Sequence, residues 1–319
     1  MASKHLFRFG VLNETMLSQQ HWLAQARKAE DLGFATFLIR DHFVSDFGGA
    51  TFSPVASMMA AADATQSLRT GTLVIDNDFR HPIVLAKEVA TLDQMSGGRF
   101  ELGLGAGWLQ AEYEQMGIPF DPPGVRVSRL GEAIQVFKAF FTEERVHFTG
   151  QHYTVKGLES FPKPIQQPHP PLLIGAGKKR MCQLAGREAD IVGLLTISTS
   201  HGTFQADPVE MLASAITQKI NWVREGAGER FPEIELSMMI SICITENPQQ
   251  YAEQLIQENK WHNISVEQVL DMPSKFFGSI DQIVEQMEAR REQFGFSYYI
   301  VSDKFMDTLA SIVARLAGK

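Results

Sequence analysis

One stretch, residues 73–108, constrains the fold more than any other part of this sequence. It reads LVIDNDFRHPIVLAKEVATLDQMSGGRFELGLGAGW. An apolar strand end passes into a polar loop closed by Pro82, and apolar residues then recur at the spacing of an amphipathic helix. Gly97 and Gly98 stop that helix, and alternating apolar residues from Phe100 onward begin the next strand. Because parallel strands need a crossover connection of this kind, the stretch predicts a βαβ unit.

The rest of the chain repeats this alternation of strands and helices. Strands are predicted at residues 7–12, 34–39, 69–75, 100–104, 172–174, 189–195, 234–244 and 298–301. Eight strand–helix alternations predict the α/β class and a single-domain (β/α)8 TIM barrel that spans residues 1–319. Insertions after strands four and seven, at about residues 146–171 and 259–275, are expected on the face where loops follow strands.

Composition and charge narrow the classes of function. The net charge of -8 argues against nucleic acid as the main partner, although a local basic pocket stays open. Cys182 and Cys243 do not have metal-binding spacing, so we expect two buried free thiols, a reducing compartment and no metal site. The N-terminal residues lack the apolar core of a signal peptide, and no apolar run has the length of a membrane span. These features predict a cytoplasmic protein without membrane contacts.

Polar residues gather where the predicted strands end, and barrel enzymes place their chemistry at strand ends. Asp41 and His42 end the second strand, where a histidine can donate a hydrogen bond or act as acid or base near neutral pH. The same pair could merely close a loop. Glu112, one helical turn after Trp108, could supply a carboxylate, but a solvated helix carboxylate is the simpler interpretation. His42 and Glu112 are the catalytic candidates, whereas Arg80 and His81 are expected only to cap a turn.

Glycines occupy alternate positions along and just past the fourth strand. Gly103, Gly105 and Gly107 remove every side chain from one face, so a cofactor could approach closely there, or the barrel interior could simply be tightly packed. Ala106, Gly107 and Trp108 are therefore candidate cofactor contacts.

A second glycine-rich turn joins the fifth strand to a helix. It reads Gly175-Ala176-Gly177-Lys178-Lys179-Arg180, and backbone N–H groups at a helix start beside cations form a phosphate site. The alternative is an ordinary helix start with solvated lysines. Thr196, just past the sixth strand, is a further candidate contact to a ring or substrate.

The motifs DNDFRHP, LDQMSGGRFELGLGAGW and GIPFDPPGVRVSRL resemble those of the luciferase-like family of flavin and deazaflavin enzymes. The Asp41-His42-Phe43 and Gly175-Ala176-Gly177 segments, READIVGL and FGSIDQIVEQM fit the same pattern, so the resemblance covers essentially the whole chain. Within the family, the sequence is most similar to the branch of F420-dependent oxidoreductases.

This resemblance implies several features that the residues alone do not show. It implies a non-proline cis peptide at Leu73-Val74 that supports the cofactor ring, with Asp76 at the same strand end, although an ordinary strand is the simpler interpretation of these residues. It implies that His42 protonates the deazaflavin or its substrate. Trp108 stands where glucose-phosphate-oxidising relatives carry an acidic base, and this departure argues against that substrate.

The resemblance also implies a homodimer through helices near strands two and three. The small-residue run at residues 57–62 could pack in that interface or against its own barrel.

Three functions follow from these observations. The first is an F420-dependent oxidoreductase that moves a hydride between the deazaflavin and a small organic substrate. The second is a two-component monooxygenase that uses reduced FMN from a separate reductase, with oxygen, in an apolar pocket lined by Trp108, Phe43, Phe47 and Phe52. The third is a non-catalytic flavin-binding barrel, because fold alone does not imply function.

Overall fold

The computed structural model describes residues 5–44, 52–196 and 207–319. Its strands are β1 (Arg8–Leu12), β2 (Thr36–Ile39), β3 (Arg69–Thr72), β4 (Ile75–Asp76), β5 (Phe100–Gly105), β6 (Arg145–Thr149), β7 (Thr154–Glu159), β8 (Leu172–Ala176), β9 (Ile191–Leu194), β10 (Glu235–Met239), β11 (Ser241–Ile244), β12 (Lys275–Gly278) and β13 (Phe296–Ser302). Its helices are α1 (Gln19–Asp31), α2 (Pro54–Asp63), α3 (Pro82–Met95), α4 (Gln110–Met116), α5 (Pro123–Thr142), α6 (Lys179–Glu188), α7 (Ala213–Ala227), α8 (Pro248–Glu258), α9 (Val266–Leu270), α10 (Ile280–Phe294) and α11 (Met306–Leu316).

Eight parallel strands close into a barrel. Their order around it is β3, β2, β1, β13, β10, β9, β8 and β5, with β4 continuing β3 after a short break. The pairing of β3 with β5, in which Thr70 lies opposite Phe100, closes the sheet. The predicted (β/α)8 TIM barrel is therefore confirmed.

The helices around the barrel follow the sequence patterns that predicted them. Leu130, Ile134 and Phe137 of α5 are buried against the barrel, as their helical spacing requires. Ser279 precedes helix α10 as its N-cap and forms a capping box, in which Ser279 and Gln282 satisfy each other's backbone N–H groups.

The first insertion is rooted at the end of the barrel opposite to the predicted face. Its antiparallel strands β6 and β7 form a hairpin. The segment that follows is fastened to the start of β5, because the Gln166 side chain donates to the Phe100 carbonyl at 2.8 Å. Only the hairpin tip reaches the other end, where Asn77 donates to the Tyr153 hydroxyl at 3.2 Å. The prediction that this insertion decorates the loop face is therefore wrong for its base.

The second insertion begins where the predicted strand 234–244 breaks in two. Ile240 donates its N–H to the Ile300 carbonyl at the end of β10, and β11 then leaves the barrel to pair with β12. Together with α8 and α9 it encloses a separate apolar cluster that includes Trp261, Val269 and Met272. This insertion lies at the loop face, as predicted.

Two further predictions concern the two cysteines and the small-residue run at residues 57–62. Cys182 is buried, and burial raises the pKa of its thiol to about 12, but Cys243 is only half-buried, so its predicted burial is wrong. In α2, the side chains of Ser57, Met58 and Ala61 are buried in the chain's own fold.

Across the described ranges, no helix combines the length and apolar character that a membrane span needs.

Candidate functional site

A cavity of about 1030 Å³ opens where the barrel strands end. Thirteen of the fifteen predicted site residues line it: Asp41, His42, Leu73, Val74, Asp76, Ala106, Gly107, Trp108, Glu112, Gly175, Gly177, Lys178 and Thr196. The other two do not. Ala176 is fully buried in the barrel wall, and Arg180 donates to the Gly124 carbonyl and to the Ser128 hydroxyl, which fastens α6 to α5.

His42 is paired with a buried carboxylate. Its Nδ1 lies 3.0 Å from Oε2 of Glu112, and Glu112 also accepts hydrogen bonds from the backbone N–H groups of Phe43 and Val44. The Glu112 side chain is only 2% exposed. The simpler interpretation of Glu112 as a solvated helix carboxylate is therefore wrong.

The hydrogen bonds at Glu112 decide its charge. Burial raises the pKa of Glu112, but the hydrogen bonds from His42 and from the Phe43 and Val44 amides outweigh burial and hold that pKa below its usual value. An ionised carboxylate at Nδ1 favours a proton on that nitrogen. Trp108 lies edge-on to the His42 ring, with the ring centroids 5.9 Å apart.

Asp41 anchors the neighbouring loop. The two terminal guanidinium nitrogens of Arg80 donate to its carboxylate, and the Asp76 backbone N–H donates to it at 3.3 Å. His81 accepts from the Ile83 N–H and caps α3, as predicted. Arg80 does more than cap the turn, because it joins the ends of the second and third barrel strands.

The wall beside this pair is a bulge between β3 and β4. The Leu73-Val74 peptide bond is cis, as the resemblance implied. A Cβ on Gly103 would lie 1.8 Å from the Thr72 carbonyl oxygen, and a Cβ on Gly105 would lie 2.6 Å from Val74. These two glycines therefore make room for the bulge, so the tight-packing alternative holds for them.

A cluster that the sequence did not indicate supports the bulge from behind. The Tyr113 hydroxyl donates to Asp76 at 2.9 Å and to Asp78 at 3.2 Å, and Arg129 pairs with Asp78 at 2.8 Å. Gly107 has φ +71°, and a Cβ there would collide with the Tyr113 hydroxyl. Tyr113 directly follows Glu112 on α4, and this adjacency was the available sequence signal.

The predicted phosphate turn is held by ion pairs. Lys178 pairs with Glu210 at 2.5 Å, but its side chain is 63% exposed, so the alternative interpretation of solvated lysines still stands. The buried Lys219, also missed from sequence, pairs with Glu210 at 2.8 Å and donates to the Leu195 carbonyl at 2.7 Å. The turn is thereby tied to the segment that precedes α7.

The apolar wall of the cavity differs from the predicted one. Phe43 and Phe52 are 61% and 39% exposed and do not line the cavity, whereas Phe47 lies outside the described residues. The lining is nevertheless mostly apolar and contains Trp108, Phe120, Met181, Met238, Met239 and Ile300. A mostly apolar cavity with a few convergent polar groups is typical of a small-molecule site.

Comparison with known proteins places this site in a family. The luciferase-like monooxygenase family matches residues 2–291. The chain belongs to that family. Its homologues and structural neighbours are oxidoreductases and monooxygenases that depend on F420 or a flavin, so the predicted enzyme class is confirmed at the family level.

Three relatives in sequence show the range of the family. An uncharacterized protein of Mycobacterium tuberculosis is 29% identical over 287 residues, which cover 84% of this chain and 92% of that protein. An FMNH2-dependent dimethylsulfone monooxygenase of Pseudomonas putida is 29% identical over 52% of this chain and 46% of its own. An F420-dependent glucose-6-phosphate dehydrogenase of Microbacterium testaceum is 34% identical over 53% of this chain and 50% of its own.

A solved structure shares the fold over almost the whole chain. An F420-dependent secondary alcohol dehydrogenase in complex with an F420-acetone adduct superposes with a TM-score of 0.74 at 18% identity, over 98% of this chain and 99% of its own. The likeness extends beyond the eight strands to both insertions.

Proposed function

We propose that this protein is an F420-dependent oxidoreductase that moves a hydride between the deazaflavin and a small organic substrate. The observation that carries this proposal is the pairing of His42 with the buried carboxylate of Glu112 at the edge of an apolar cavity. Transfer of a hydride to or from a carbonyl carbon requires a proton at its oxygen, and a fixed histidine supplies one. F420-dependent relatives support the choice of cofactor.

The residues around the cavity fit a planar ring that carries an anionic tail. Leu73 and Val74 present the face of the bulge to the cavity, and a Cβ on Gly175 would meet only Val74 at 3.8 Å, so the floor there is open. Gly177 and Lys178 precede α6, whose N-terminal N–H groups and partial positive charge suit a phosphate. Ala106 and Gly107 would border the ring, and Asp41, Asp76 and Thr196 would lie around its edge.

The protein's own contribution is proton handling and exclusion of water. When bound, F420 supplies the two-electron chemistry. His42 would hold or accept a proton at the substrate oxygen through Nε2. Glu112 would keep the imidazole ring of His42 oriented and stabilise its charged form. Trp108 and the methionines of the wall would keep water from the reacting atoms.

A two-component FMN monooxygenase is the second candidate. The apolar lining and the dimethylsulfone monooxygenase among the relatives favour it, and it would need a separate reductase as partner. A non-catalytic flavin-binding barrel is the third. The His42–Glu112 pair inside the cavity weighs against it, and turnover of any substrate would reject it.

Replacing His42 tests its role directly. We expect His42→Ala to lower kcat by about 10²–10⁴-fold with little change in the Kd for F420, because the imidazole acts on the proton. Activity is followed by the change in F420 absorbance with a panel of alcohols and ketones, and F420 binding by fluorescence. His262→Ala, at an exposed histidine, is the matched control and should behave as wild type. Equal loss of kcat and F420 affinity would contradict the proposed role.

The partner carboxylate has its own matched pair of variants. Glu112→Gln should lower kcat by about tenfold or more, since a neutral amide cannot stabilise the imidazolium. Glu114→Gln, an exposed position on the same helix, should leave kcat unchanged. A Glu112→Gln enzyme with wild-type kcat would remove Glu112 from the mechanism.

A homodimer in the cytoplasm remains our proposal for the state of the protein in the cell. Ala56 is exposed and Met59 and Ala60 are half-buried on α2, so part of this helix could meet a second copy. A light-scattering mass near twice 35.6 kDa is expected, and a mass near 35.6 kDa would remove the dimer.

A further inference from the structure

A lysine that has no ion-pair partner in the described part of the chain borders the cavity on the side of the second insertion. Lys275 begins β12 and lines the cavity beside Ser274 and Ser241. Among the described residues, no carboxylate lies within 4.0 Å of its ammonium, and its nearest polar contact is the Ser241 hydroxyl at 3.4 Å. Trp261 lies beneath it, with the ring centroid 5.8 Å from Nζ.

The charge of this half-buried lysine is compensated differently from that of the buried Lys219. Lys219 is compensated by the Glu210 carboxylate and by two carbonyl groups. For Lys275, burial lowers the pKa, and no neighbouring charge raises it again. A cation taken out of water without a counter-ion is costly, so buried lysines are normally paired. An anion bound in the cavity would supply the missing charge.

A second, smaller cavity lies next to this lysine. This side pocket measures about 260 Å³ and shares Met211, Ser241 and Lys275 with the main cavity. Its other walls are mostly apolar and include Ile242, Leu255, Trp261 and Phe277. A dry apolar cavity of about 150 Å³ is enough to bind benzene, so the side pocket has room for one ring or a short alkyl chain.

We propose that the substrate is a carboxylic acid whose carboxylate binds Lys275 and Ser241 and whose apolar tail fills the side pocket. The arrangement places the anion at the border between the two cavities, so a reacting group on the carbon next to the carboxylate would face the main cavity. The proposal rests on the proposed function only in naming the acid a substrate; its binding site stands on Lys275 and the side pocket alone.

The test is calorimetric titration of the full-length protein, without cofactor, with hexanoate, acetate and 1-hexanol. Wild type should bind hexanoate about tenfold or more tightly than 1-hexanol, the difference expected for one charge-assisted contact. Lys275→Met keeps the aliphatic stem and should remove this preference, whereas Lys275→Arg should retain it. Lys87→Met, at an exposed lysine of α3, is the matched control and should bind as wild type.

Filling the side pocket tests the second half of the proposal. Leu255→Trp should weaken hexanoate binding by about tenfold and leave acetate binding unchanged, because acetate has no tail to displace. A melting temperature is recorded for each variant, and Lys275→Gln replaces Lys275→Met in the same titrations if the latter is unfolded.

Three results would overturn the inference. These are equal affinity of wild type for hexanoate and 1-hexanol, an unchanged hexanoate affinity after loss of the Lys275 charge, and an unchanged hexanoate affinity in Leu255→Trp. F420 titration of Lys275→Met should match wild type. Absent carboxylate binding with intact F420 binding would contradict this inference alone, whereas absent F420 binding by wild type would contradict the proposed function alone.

Discussion

At the scale of single residues, Asp76 has a carboxyl pKa that its surroundings shift strongly. It is 8% exposed, and burial raises the pKa of its carboxyl to about 7. Hydrogen bonds from the Asp78 amide and from Tyr113 lower that pKa, while the charges of Asp78 and Asp41 raise it. Asp76 therefore titrates near neutral pH at the edge of the cavity.

This titration predicts how stability depends on pH. The folded pKa lies above the unfolded one, so between about pH 4 and 7 the folded protein keeps a proton that the unfolded chain has lost. The contribution of Asp76 to the unfolding free energy therefore falls as pH rises through this window and is constant above it. Relative to Asp76→Asn, which cannot titrate, wild type should lose about 2–3 kcal/mol between pH 5 and 8.

Urea denaturation at both pH values measures this difference. Asp281→Asn is the control, because the Asp281 side chain is 75% exposed and should show no comparable dependence. A difference between wild type and Asp76→Asn that is the same at pH 5 and pH 8 would show that Asp76 is ionised throughout.

Single residues also show where sequence reasoning reaches its limit. His42 could be predicted because its position follows from the end of a strand. The burial of Glu112 could not, since its partners at positions 42–44 lie about 70 residues away in sequence and meet it only when α4 docks. Lys275 carries no sequence signal at all, because its charge matters only through the absence of a neighbouring carboxylate.

At the scale of elements, the bulge of the third barrel strand depends on glycines in the fourth. The 1.8 Å approach that a Cβ on Gly103 would make is to a backbone carbonyl, which cannot rotate away. Gly103→Ala should therefore destabilise the protein by about 3 kcal/mol or more, through displacement of β5 or of the bulge.

A glycine in a helix provides the contrasting variant. A Cβ on Gly131 of α5 would meet only Leu184 at an ordinary 3.7 Å. Gly131→Ala should stabilise the protein by about 0.5–1 kcal/mol, because alanine has the higher helix propensity. Melting temperatures of the two variants should thus move in opposite directions, and an unchanged melting temperature for Gly103→Ala would contradict the packing argument.

The sequence marks the helices more plainly than the strands beyond the barrel. Apolar residues recur at helical spacing along α10 and α11, and Ser279 marks the start of α10. The break between β10 and β11 could not be predicted, because apolar residues recur along the whole of 234–244 and only the choice of pairing partner divides it. The base of the hairpin was misplaced for another reason: the insertion joins helix α5 to strand β8, and such helix-to-strand connections lie at the end of the barrel opposite to the loops that follow the strands.

At the scale of the whole molecule, an ion-pair network closes the end of the barrel away from the site. Arg8 pairs with Glu101 and with Glu235, each at 2.6 Å, and Arg69 pairs with Glu101 at 2.7 Å. Both carboxylates are almost fully buried, at 3% and 9% exposure of their side chains. The network joins strands from opposite sides of the barrel.

Breaking this network should cost more than breaking a surface pair. Arg8→Met leaves Glu235 without its guanidinium and should lower the unfolding free energy by about 3–5 kcal/mol. Arg315→Met removes a pair between side chains that are 47% and 75% exposed, and should cost about 1 kcal/mol or less. Chemical denaturation measures both, and equal losses would contradict the structural role of the network.

The alternation of strands and helices was sufficient to predict the barrel, because each repeated unit fixes the position of the next. F420-dependent and FMN-dependent relatives share this scaffold, so a few contacts on it decide which cofactor binds.

The most direct test of the proposed function is a fluorescence-quenching titration of the purified protein with F420 and, separately, with FMN. We predict tight, saturable binding of F420 and weak binding of FMN. Tight binding of FMN without binding of F420 would contradict the account and make the two-component monooxygenase the function to test next, by oxygen uptake with reduced FMN.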